Sequence, residues 1–172
     1  MDIAMNTPKI YFDQFPSLLG DNIFSEVTHY TVMQKSVVQQ EAEQQVIECL
    51  KFLYLTSSFP EQLSGLFLPV EQAIDDVWHY LILQTREYRT LCEKKLPGQF
   101  FIEHRSMPYE NYGQKADREK MIEEALRWIP IYRNTFGGFD AQSAPHWTMV
   151  RYLHEQLGMT LLEINGLDTR TT

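Results

Sequence analysis

Along most of this chain apolar residues recur at spacings of three and four, and almost nowhere do they alternate with polar ones. At about 100° per residue that spacing gathers them on one face of a helix, whereas a strand needs a period of two. Residues 21–34, "DNIFSEVTHYTVMQ", place Ile23, Phe24, Val27, Tyr30 and Met33 in this way. Residues 36–57 carry Val38, Ala42, Val46, Cys49, Leu50 and Leu53 as one stripe, with Ser36 and Gln39 spaced as a capping box. "TSSFPEQLSG" then breaks the pattern.

A second long helix is predicted from about Pro69, a residue suited to a first helical turn. Val70, Ile74, Val77, Leu81, Tyr88 and Leu91 form its stripe, and "KKLPGQ" ends it with lysines that complement the helix dipole. Residues 115–136 resume the helical pattern, with a kink expected at Pro130, and residues 145–157 give a last helix between Pro145 and Gly158. The pattern therefore predicts an all-α fold, a single-domain helical bundle of about five helices. "FFIEHRSMPYENYG" crosses between helices with room for one short strand or hairpin near 99–104. Residues 1–20 read as an irregular lead-in containing at most a short helical turn, 21–158 as the helical domain, and 159–172 as a C-terminal tail.

Composition narrows the function classes. The chain has 172 residues, enough to bury a core without staples, and its formal net charge of −8 argues against nucleic acid, whose phosphates need a positive surface. Apolar runs such as "GLFL" and "YLIL" are far too short to span a bilayer, and "MDIAMNTPKIYFDQ" lacks the features of a secretory signal. A soluble, cytoplasmic protein is the expectation. Cys49 and Cys92 form no CxxC pair, so packed free thiols are expected rather than a disulfide or thiolate zinc site. No GxSxG, P-loop, GxGxxG or EF-hand pattern is present, and acidic runs such as "EAEQQ" and "MIEEAL" read as solvated helix faces.

The chemistry worth following lies in "IDDVWHYLILQTREYRTLC", residues 74–92. On the helical wheel His79 falls about 180° from the apolar stripe. Asp75 and Asp76 precede it by four and three residues, and Leu83 and Arg86 follow on the same face. A carboxylate four residues before a histidine can accept its N–H, fix the tautomer and leave the other ring nitrogen free. That serves a metal ligand or a base, and serves equally an exposed charge pair. Leu83 on this polar face, with Trp78 beside the stripe, predicts a helix covered on more than one side.

"FIEHR" returns soon afterwards and adds Glu103 and His104. Asp75, His79 and His104 would suit zinc or iron through two nitrogens and an oxygen, although this spacing is far less specific than HExxH. The alternative is that Glu103 and His104 tie down the loop. His146 and His154, two turns apart, are too distant to share a metal directly and read as structural or solvated. Nothing recommends His29, and Tyr109 and Tyr112 are expected to pack over the crossing loop, with a partner surface as the alternative.

The order "VIECLKFLYLTSS", "PVEQAIDDVWHYLILQTREYRTLC", "IEH" and "IPIYRNTFGG" resembles the glycine-rich domain-containing protein-like family over about residues 40–139. The matching positions are Asp76, Val77, Trp78, His79, Tyr88, Cys92 and His104. Where that family has a second histidine two residues after the first, this chain has Leu81, so a metal pair on neighbouring histidines of one helix is not implied. Nor does the chain contain the glycine-rich tail or RNA-binding segment of larger plant members. The family has no established activity, so the resemblance implies a helical domain and a Trp-His position.

Three functions accord with these residues. The leading one is a module that binds a protein partner or small ligand without catalysis, using Asp75, Asp76, Trp78, His79, Arg86, Glu103 and His104. Against it stand a metal-dependent enzyme, with zinc or iron on Asp75, His79 and His104, and a purely structural domain in which the Trp-His pair pins the crossing loop.

Overall fold

Every residue from Gln44 to Lys51 is buried. A run longer than two turns covers the whole circumference, so the helix that carries it lies at the centre of the molecule. This helix is α3, Gln39–Ser58. The computed structural model describes residues 10, 12–66, 68–104 and 115–168, and the regular elements among these are all helical.

Before α3 come a single 3-10 turn, Phe12–Gln14, and the helices α1, Phe15–Leu19, and α2, Asp21–Lys35. After it come α4, Gln72–Leu83, α5, Thr85–Thr90, α6, Lys115–Phe136, α7, Thr148–Arg151, and α8, Leu161–Asn165. Helix α5 widens at its end through Leu91–Lys95, where the N–H of Leu96 donates to the carbonyl of Leu91 five residues back, at 2.9 Å. Helix α7 ends likewise through Tyr152–Gln156. Among the described residues no helix is long and apolar enough to cross a membrane.

The fold is all-α as predicted, with eight α-helices among the described residues rather than about five. One cause is that the second long helix breaks at Gln84, where φ −82° and ψ 62° leave the helical region. The stripe survives the break, since Tyr88 and Leu91 remain 1% exposed. That helix also begins at Gln72, not near Pro69. Pro69 and Val70 are instead extended against the segment before α7, with Thr148 N–H donating to Pro69 (3.0 Å) and Glu71 N–H to His146 (2.9 Å).

Nor do Ser36 and Gln39 form a capping box. Ser36 terminates α2 in the left-handed region, at φ 53°, and Val38 is the residue that precedes α3, without a side-chain cap. The strand allowed near 99–104 does not form, and the isolated Val70–Trp147 bridge is the only strand-like pairing among the described residues. Helix α6 runs through Pro130.

Two acidic stretches expected to be solvated are partly interior: Gln44, Gln45 and Glu124 are all less than a tenth exposed. Within residues 159–172, Thr160 and Glu163 make a true capping box and start α8, whose Ile164 is fully buried. The side-chain amide of Asn165 then meets the backbone of Phe139, accepting its N–H at 2.7 Å and donating to its carbonyl at 2.8 Å.

Core packing positions the crossing loop. Gly98 donates its N–H to Ser57 Oγ at 2.8 Å, and a Cβ on Gly98 would stand 2.2 Å from the Ser57 carbonyl oxygen. Only glycine allows this approach. The loop that follows α5 is therefore anchored at the end of α3, and from there it runs back along α5 and α4.

Candidate metal centre

Asp75 and His79 lie one turn apart on α4, as their spacing requires. Nδ1 of His79 stands 2.8 Å from the Asp75 carbonyl oxygen and 3.2 Å from its Oδ2. Both neighbours only accept, so Nδ1 carries the proton. His104 comes from the loop, with Nε2 2.9 Å from Asp75 Oδ1, which places a proton on that nitrogen too. Asp75 thus accepts from two imidazoles whose rings are tilted against each other at 4.2 Å. One ligand atom from each of Asp75, His79 and His104 lies within 4.8 Å of the others.

The three side chains span a gradient of burial. His104 is 9% exposed, Asp75 20% and His79 50%, so the cluster has a dry floor and a wet face. The floor is aromatic. The His104 ring meets Trp78 edge-on at 4.3 Å, and the Trp78 indole N–H donates to the Tyr88 hydroxyl at 2.9 Å. Tyr88 in turn donates to the carbonyl of Ile102 at 2.7 Å. Burial and the charge of Asp75 both push the Cys49 thiol far above its ordinary value, and Tyr88 is also pushed up, mainly by burial.

The remaining predicted site residues are not part of this cluster. Asp76 turns toward α2, where it pairs with Lys35, and also accepts from Gln72 at 2.8 Å. Arg86 lies beyond the break at Gln84 and is exposed, as is Glu103. Leu83 is 74% exposed, so its end of the polar face is open rather than covered. His146 is buried with Nε2 3.6 Å from Glu41, His154 reaches the Met159 carbonyl at 2.6 Å, and His29 is exposed. Tyr109 and Tyr112 fall outside the described residues.

A second polar group had no counterpart in the motif reading. The fully buried Glu48 accepts from Lys51 (2.6 Å), Gln44 (2.8 Å), Trp147 (2.8 Å) and Tyr132 (3.1 Å). Its signal in the sequence is an acid and a lysine three residues apart inside the apolar run "VIECLKFL".

No family model, curated protein or solved structure matches this chain. The site must be read from its own chemistry.

Proposed function

We propose that this domain binds a divalent transition-metal ion, zinc or iron(II), through Asp75, His79 and His104, and holds a small ligand or a partner's donor group at the positions the ion keeps open. The observation that carries the reading is the convergence of these three side chains within 4.8 Å, although His104 is 25 residues beyond His79. Donors bound to one such ion stand about 3 Å apart, since each lies about 2 Å from the metal. Asp75 and His104 already have that spacing.

Two imidazoles and one carboxylate fill three positions, the donor set of exchangeable rather than closed structural sites. The half-exposed His79 places the open side toward solvent. Binding the ion displaces the protons now shared with Asp75, so the metal replaces hydrogen bonds that exist without it. The enzyme reading adds one step, in which the ion acidifies a bound water and so supplies a nucleophile. The structural reading draws on the 2.9 Å bond between His104 and Asp75, which ties the loop without an ion. The family resemblance accords with the same place, since Trp78, His79, Tyr88 and His104 belong to one connected group.

Elemental analysis of protein purified without an affinity tag tests the proposal. About one first-row metal per chain is expected, lost in His79→Ala. Metal-free preparations that also take up neither added zinc nor iron(II) would overturn it.

A further inference from the structure

We infer that the Tyr88 hydroxyl is the latch of the metal centre: it docks the segment Phe101–His104 onto α4 and α5, so that docking and metal occupancy form one linked equilibrium. The inference rests on the metal reading above and names its regulation.

Two of the ligands need no help. Asp75 and His79 are one turn apart on α4, and their spacing is set by the helix. His104 is different, because it arrives on a segment with no regular structure. Whatever holds that segment sets the distance between His104 and the other two ligands.

Tyr88 holds it with a defined direction. The Trp78 indole can only donate, so it fixes the Tyr88 oxygen as its acceptor and leaves the phenolic proton for the Ile102 carbonyl. Burial alternates along the segment: Ile102 is buried and the His104 side chain is only 9% exposed, while Phe101 and Glu103 are exposed. Phe101 then lies edge-on to the Tyr88 ring at 5.5 Å, with the Arg89 guanidinium 5.4 Å from its ring centre. Tyr88 touches no ligand atom in this chain of contacts. It acts through Trp78 and Ile102, and is a positioning residue.

Linkage makes the effect reciprocal: if docking raises affinity for the ion, the ion must stabilise docking by the same factor. Groups that orient metal ligands from behind typically change affinity by 10–100-fold. Zinc titration calorimetry on the full chain, combined with amide exchange of residues 101–104, reads both sides. Tyr88→Phe is expected to keep one zinc per chain, bind it about 10-fold more weakly and exchange those amides faster. Tyr80→Phe, on α4 but stacked on Tyr30, is the control expected to leave zinc affinity unchanged.

A Tyr88→Phe protein with wild-type zinc affinity overturns the latch while leaving the metal site standing. Wild-type protein that binds no zinc or iron(II) defeats the metal reading itself, and the linkage with it. Should Tyr88→Phe fail to fold, the wild-type chain still decides: zinc must slow exchange at 101–104, and unchanged exchange at zinc saturation overturns the inference.

Discussion

The indole N–H of Trp147 donates to Glu48 Oε2 at 2.8 Å across 99 residues of chain, deep in the core. Both oxygens of this carboxylate are occupied, and the neighbouring Lys51 also reaches the Tyr132 hydroxyl at 3.0 Å. Glu48→Ala leaves the Lys51 ammonium without its carboxylate and the Trp147 indole N–H without its acceptor. Breaking one side of a buried ion pair costs about 3–5 kcal/mol. A urea titration should show a loss of that size, whereas Glu48→Leu combined with Lys51→Met should recover much of it. A double variant no more stable than Glu48→Ala would show that the two charges are not coupled.

Trp78 is expected to govern folding more than any histidine. It is 9% exposed, packs against Phe52 at 5.0 Å and supplies the donor that orients Tyr88. Trp78→Ala should cost about 3–5 kcal/mol, against a small effect for His79→Ala on its exposed face. Equal midpoints in urea for Trp78→Ala and the parent would contradict this.

The two cysteines should be silent toward thiol reagents in the native protein. Both are buried, and both thiols are pushed above their ordinary value, chiefly by burial. For Cys49 the nearby Asp75 carboxylate adds to the shift. Reaction goes through the thiolate, so labelling with an aromatic disulfide at pH 8 is expected to wait for unfolding. Rapid native modification of Cys49 would show that the core face of α3 is open to solvent.

Asp140 gives the fold a specific weakness in acid. Burial raises its carboxyl, but the N–H and hydroxyl of Ser143, the N–H of Gln142 and the charge of Lys51 outweigh it, and the net shift is downward from 3.8. A lowered folded value means that its contribution is complete above 3.8 and disappears as pH falls through that lower value. Asp140→Asn should therefore flatten the loss of stability below pH 4. Identical acid titrations of thermal stability for parent and variant would count against it.

Much of the fold was legible because its signal is periodic. The stripe on α4 predicted that Ile74, Val77 and Leu81 face inward and His79 outward, and they do. The break at Gln84 was not legible, since neither Gly nor Pro marks it and the stripe continues beyond it. Burial all round α3 from Gln44 to Lys51 also escaped, because Gln44, Gln45 and Glu48 look like a polar face until Tyr132 of α6 and Trp147 are seen to meet Glu48. At the site, local spacing predicted the Asp75–His79 contact. The arrival of His104 depended on the return of the loop, which Gly98 and Tyr88 set through contacts distant in sequence. Asp76 and Arg86 lie outside the Asp75, His79 and His104 cluster for related reasons: one finds Lys35 on another helix, and the other lies past an unmarked break.

The grip of Asn165 on the backbone of Phe139 bears on the order in which the protein is made. Gly138, at φ +100°, is held so close that a Cβ there would meet the Asn165 amide at 2.9 Å. Ile164 beside it is fully buried. While a ribosome is still reading the codons for α7, the wall behind α6 has no plug, and Phe139 has no partner for its N–H. The side of the core behind α6 is thus closed by α8, five residues that are made only after the elements they seal.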